Sequence, residues 1–235
     1  MFKIITTCWN NADYVGRCIH SVLNQSTLWQ MCIVTNMPIV ETEKTKDKRI
    51  LYKYNENSEK IQNIINAIET LNPDDNDILC FVDGDDYLMP NALDIVNKYY
   101  YADNLLITYG NFIDSHGIAS PLKGYTEDDF KDGIRKQLTY NWQASHLKTM
   151  KYKLWKQIDH DESFKHKGKW INACDDMAFM IPALEMAGYK RSQFVKEFIY
   201  SYNIDNPECG FKINSANEDN ACLIVASKKP YKELK

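Results

Sequence analysis

Four things are missing from the 235-residue sequence, and each absence removes a class of function. No apolar run reaches the length needed to cross a bilayer, so no transmembrane segment is expected. The start, Met1-Phe2-Lys3-Ile4-Ile5, enters a strand-like segment directly and shows no signal peptide. Basic residues are not gathered into one patch. Only short runs occur, at Lys44–Lys48, Lys165–Lys169 and Lys228-Lys229, and the net charge is −4, so no nucleic-acid partner is expected. No Cys-x-x-Cys spacing links the seven cysteines, at positions 8, 18, 32, 80, 174, 209 and 222. Odd in number and partly inside apolar runs, they read as reduced thiols of a cytoplasmic protein, not as a disulfide framework or a zinc site.

What is present suits one α/β domain. Apolar residues make up 44%, enough for a sizeable core. Strand-like segments occupy 2–8, 29–35, 50–54, 77–83 and 105–109, with 145–149 as an edge strand and 193–202 as a later one. Helical spacing fills Ala12–Asn24, Ser58–Leu71 with Ser58 as cap, and Ala92–Tyr101. It returns in short form at Lys151–Ile158, then over Asp175–Ala187, where Pro182 predicts a kink or bulged turn and Gly188 closes the helix. Residues 111–140 are polar and irregular, and the tail after Asn206-Pro207 has no clear period. Alternating strands and helices predict a mostly parallel sheet covered on both faces, with ligands beyond the carboxyl ends of its strands. The Thr7–Asn10 loop, Asn36 and Asp83–Asp86 all fall at such ends.

The run Ile78-Leu79-Cys80-Phe81-Val82-Asp83-Gly84-Asp85-Asp86 carries the chemistry. A buried strand ends there by presenting three carboxylates, which repel one another unless a cation lies between them. Carboxylate oxygens suit Mg²⁺ or Mn²⁺, and such ions commonly bridge to phosphate. An EF-hand loop starting at Asp83 is excluded, since its sixth and twelfth places hold Leu88 and Asp94 in place of Gly and Glu. An Asp-dependent phosphatase would also place acids after a strand.

These motifs, in their order, resemble the family 2 glycosyltransferases of GT-A fold. The opening Ile4-Ile5-Thr6-Thr7-Cys8-Trp9-Asn10-Asn11 with Tyr14 and Ser21–Ser26 is similar to that family's first strand, loop and helix. Phe81–Pro90 is similar to its metal motif, Asp175-Asp176-Met177-Ala178-Phe179 to its base-bearing helix, and Tyr200-Ser201-Tyr202-Asn203 to its closing aromatic segment. The likeness spans about residues 2–205 and is loosest over 111–170. Two segments depart from the family pattern. Val34-Thr35-Asn36-Met37-Pro38 stands where an Asp often holds the base, and Asn57–Asn63, with Lys60, replaces a Gly-rich segment with Arg-Asn.

The resemblance implies a GT-A, Rossmann-like sheet with helices on both faces and an irregular C-terminal acceptor region. Residues 1–110 form the nucleotide-sugar half, 111–205 the acceptor and catalytic-base half, and 206–235 a tail. The implied activity is inverting transfer of a sugar from a nucleotide-diphosphate donor, by family habit UDP, to a glycan or lipid-linked hydroxyl. It depends on Mn²⁺ or Mg²⁺ and occurs in the cytoplasm or at a membrane surface. Asp85 is expected to ligate the ion, and Asp83 to bind ribose or complete the shell. Asp86 would orient them. Asp176, or else Asp175, is the base. Thr7, Trp9, Asn10, Asn36, Lys60, Gly84 and His146 complete the donor site. Trp9 stacks on the base or packs under the sheet. His146 touches diphosphate or metal, or is a hydrogen-bonded core residue. Asp175-Asp176 also suits helix capping alone. A non-catalytic nucleotide-sugar binder remains the alternative to an enzyme.

Overall fold

The computed structural model describes the chain except residues 11, 40, 41, 44, 57, 58, 102, 103, 138–140, 172 and 208–214, and the side chains of 12 and 215–219. The predicted cap Ser58, Asn11 of the opening motif and Cys209 lie outside the described residues.

Strand β1 (Phe2–Cys8) is buried at all but one position, as a strand covered on both faces requires. It pairs in parallel with β2 (Trp29–Thr35) on one side and β4 (Ile78–Phe81) on the other. β3 (Ile50–Tyr54) adds to β2 at the sheet edge, where Leu51, Tyr52 and Tyr54 are exposed. Two helices make the crossovers: α1 (Ala12–Leu23) packs on one face, and α2 (Lys60–Leu71) packs Ile61, Ile64 and Ile68 on the other. Asn72, in the left-handed conformation at φ 41°, closes α2.

After β4 the chain forms β5 (Tyr87–Leu88), α3 (Ala92–Tyr100), β6 (Ile107–Asp114), α4 (Glu127–Asp132) and α5 (Ile134–Gln137). It continues through β7 (Ser145–Lys151), α6 (Tyr152–Trp155), α7 (His160–Phe164), β8 (Lys165–His166) and β9 (Lys169–Trp170). Last come α8 (Asp175–Ala187), β10 (Ser192–Tyr202) and α9 (Ser215–Ser227). The main sheet has the order β3-β2-β1-β4-β7-β6-β10-β5, and β7 and β5 run antiparallel to their neighbours. This is the mixed, mostly parallel, helix-covered α/β sheet expected. α8 runs unbroken through Pro182. No described helix is long and apolar enough to cross a membrane.

Two expectations need correction, and one segment proves more ordered than its sequence pattern. Ser145–Thr149 belongs to a central strand, not an edge. β7 lies between β4 and β6, and its polar residues are buried in pairs: Thr149 with Thr108 (2.6 Å), and Lys148 with an acid of α8. The tail, which has no clear period, nonetheless forms α9 and folds back on α8. Arg135 joins Glu185 in a buried ion pair (2.8 Å) and donates to the Val225 carbonyl (2.6 Å). Leu234 N–H donates to Met186 O, and Tyr231 N–H to Glu185. The cysteines are not all thiols, since Cys174 and Cys222 form a disulfide. Only the docking of the tail brings the two together across 48 positions, so spacing alone could not reveal the pair.

Closing a loop of that length is worth about 4 kcal/mol in the chain-entropy account. Reduction by a dithiol, or Cys222→Ser, is therefore expected to lower the melting temperature measured by calorimetry. An unchanged melt under reductant would remove the bond from the fold.

Candidate functional site

The acidic turn is held against the end of β1 by backbone. Gly84 N–H donates to the Thr7 carbonyl (3.1 Å), and Val82 N–H to Ile5 O (3.0 Å). A β-carbon on Gly84 would lie 3.0 Å from both Thr7 O and Cys8 Cβ, so this approach requires glycine. Thr7 thus sits beside the turn and lines the cleft. Across the sheet ends, Asn10 N–H donates to Asn36 Oδ1 (3.0 Å) and Asn36 Nδ2 to Asn10 Oδ1 (2.9 Å), tying the β1 and β2 loops together. Trp9 stands exposed on that rim.

The three acids of the turn occupy different surroundings. Asp86 is fully buried and accepts from the Tyr200 hydroxyl (2.7 Å) and the Asn203 N–H (2.7 Å). Burial, then the charges of Asp83 and Asp85, push its carboxyl well above the usual carboxylate range. Tyr200 also accepts the Asp83 N–H (3.1 Å), so β10 clamps the whole turn. Asp85 accepts from Asn206 Nδ2 (2.6 Å), and burial together with Asp83 raises its carboxyl as well. Asp83 is half-buried and meets Lys60 Nζ at 2.9 Å. Burial opposes its charge, but Lys60 and Lys148 hold its carboxyl below the ordinary range.

His146, on β7, stacks on Tyr200 with ring centroids 4.4 Å apart and planes 12° apart, and lies near Tyr202 at 5.4 Å. Burial and neighbouring Lys148 push its ring down to about 3, so it is neutral and offers one nitrogen lone pair. Ligand atoms of Asp83, Asp86 and His146 all lie within 4.8 Å of one another. Two carboxylates and a neutral imidazole suit a divalent ion. The oxygens of Asp86 retain lone pairs beyond the bonds they accept. The residues therefore fit an ion. The sequence predicts the ion on Asp83 and Asp85; the donor atoms that lie together here are those of Asp83, Asp86 and His146, while Asp85 accepts from Asn206 through one of its two oxygens.

α8 enters the site at its N-terminus. Cys174 takes a left-handed φ of 55° at the cap and supplies no capping side chain, so Asp175 and Asp176 occupy the first turn. Asp176 Oδ2 lies 2.5 Å from Lys148 Nζ, whose side chain is 3% exposed, and Lys148 also reaches His146 Nδ1 (3.3 Å). Burial works against its charge, yet Lys148 and then Lys60 hold Asp176 far below the usual range, so it is ionised at any physiological pH. Asp175 lies 3.5 Å from Lys60 Nζ, and burial raises its carboxyl. Asp83, Lys60, Lys148 and Asp176 line one small cleft with Thr7 and the apolar Phe81 and Phe179.

Four participants leave no assignable role in the sequence. Lys148, Tyr200, Asn203 and Asn206 act through contacts between residues 28 to 121 positions apart, where no local pattern exists. Only the Tyr200–Asn203 motif gave a signal, and it named no partner.

Comparison with solved structures finds the same fold in TarS of S. aureus (TM-score 0.63, 14% identity), where the match covers 98% of this chain and 40% of that one. The TarS 1–349 structure in complex with UDP matches with TM-score 0.64 and 14% identity, over 98% of this chain and 67% of that one. The complex with UDP-GlcNAc gives 0.60 and 16%, over 88% and 59%. No curated protein matches the sequence. The model of glycosyl transferase family 2 matches residues 3–171, which is most of the chain, and the chain belongs to that family.

Proposed function

We propose that the chain transfers a sugar from a nucleotide-diphosphate donor, of UDP type, to a hydroxyl of a glycan or lipid-linked acceptor, with inversion and with a divalent ion. One observation carries the reading. Asp83, one of the three groups that would hold an ion, lines the same small cleft as Asp176, so a metal-bound phosphate and a base would meet in one space. The TarS complexes with UDP and UDP-GlcNAc support the choice of nucleotide.

In this reading residues 1–110 bind the donor, residues 111–205 bring acceptor and base, and 206–235 form the tail. The Asn10–Asn36 pair and Trp9 offer hydrogen bonds and an aromatic face to the nucleotide. When bound, the ion supplies Lewis-acid stabilisation of charge on the leaving diphosphate. Asp83, Asp86 and His146 would hold it, and Asp85 with Asn206 fixes the turn. Asp176 accepts the proton of the acceptor hydroxyl, while Lys148 fixes its orientation. The Asp176–Lys148 pair is also what keeps the second reading, a nucleotide-sugar binder without turnover, in view.

Asp176→Asn separates the two readings. Release of UDP from UDP-sugars with Mn²⁺ is expected to fall by ~10²–10⁴-fold while UDP affinity is retained. Wild-type turnover in that variant would remove Asp176 as base, and release of free phosphate in place of UDP would point to a phosphatase. His146→Ala is expected to weaken Mn²⁺ binding in the presence of UDP by roughly tenfold or more, as read by isothermal titration.

A further inference from the structure

Lys60 stands where helix physics disfavours it. It is the first residue of α2, so its ammonium faces the positive end of the helix dipole, and Glu59 supplies no side-chain cap there. The acids across the cleft hold it: Asp83 at 2.9 Å and Asp175 at 3.5 Å. Its side chain is 38% exposed, against 3% for Lys148, so it can leave without vacating a packed space. Lysine is a flexible point charge able to exchange one anionic partner for another.

Asp83 is claimed twice. It is the partner of Lys60 and also one of the three groups that would hold a divalent ion. An ammonium and a divalent cation on one carboxylate repel each other, and at protein-surface dielectric one unit charge a few ångströms away changes an affinity by a factor of ten or more. A diphosphate beside the cluster offers Lys60 a stronger anionic partner.

Resting on the donor and metal reading above, we infer that Lys60 is a tethered cation that occupies the acid cluster until a nucleotide diphosphate draws it away. Divalent ion and nucleotide then bind cooperatively, and Lys60 is the source of the coupling. Coupling of this kind is reciprocal, typically 5–150-fold. Departure of Lys60 also removes the ammonium from Asp175, so donor binding is communicated to the helix that carries the proposed base.

The test is a Mn²⁺ titration of the full chain, read by the electron paramagnetic resonance of unbound Mn²⁺, with and without UDP. Wild type is expected to bind Mn²⁺ weakly alone and at least tenfold more tightly with UDP. Lys60→Met is expected to bind Mn²⁺ alone at least tenfold more tightly than wild type and to lose most of the UDP effect. Lys60→Arg, which keeps the charge, should behave as wild type, and Lys60→Gln provides a second neutral variant should Met disturb the helix. If the neutral variants bind Mn²⁺ alone no better than wild type, while wild type still binds it with UDP, the inference fails and the donor and metal reading stands. If wild type binds no Mn²⁺ even with UDP, both fail.

Discussion

Everything around the cleft answers one electrostatic problem, the gathering of Asp83, Asp85 and Asp86 behind a buried strand. Like charges this close cannot all ionise in a low-dielectric setting without compensation. Each acid has its own compensation: Asp83 an ammonium, Asp85 a side-chain amide, and Asp86 a phenol and a backbone N–H. These donors come from α2, the segment after β10, and β10 itself. The sheet order supports the arrangement. β7 runs antiparallel between β4 and β6 and carries His146 and Lys148 to the carboxyl end of β4.

The first half of the fold was legible because its signals are local. β1, β2 and β3 match the sequence segments residue for residue, and so does α8, since apolar runs and helical periods need no knowledge of distant residues. The acidic turn was legible for the same reason. The role of Asp86 was not. Three adjacent acids look alike in sequence, and only the arrival of Tyr200 and Asn203 from more than a hundred positions away makes one buried and another exposed to the cleft. β7 misled because a short segment rich in polar residues, with His146, Lys148 and Thr149, reads as an edge strand. In the fold their polar atoms meet partners inside the core, where hydrogen bonding replaces water.

Some departures from local preference lie beside the cleft. A lysine opens α2, a cysteine in left-handed conformation precedes α8, and Asn10 takes a positive φ in the loop after β1. Natural chains break local rules mainly at functional positions, and tertiary contacts must then hold the broken rule in place. Here those contacts are charge pairs for Lys60 and a tied loop for Asn10. Cys174 has a covalent partner.

That covalent link turns residues 174–222 into a closed ring of chain. Both acids of α8 and the tyrosine that buries Asp86 lie on this ring. A single backbone nick between β10 and α9 would leave two fragments still bonded through sulfur, migrating as one species until reduced. The helix α8, with Asp175 and Asp176 in its first turn, and the clamp on the acidic turn are thus one mechanical piece, and the segment that carries Cys222 is its clasp, not an appendage to be trimmed.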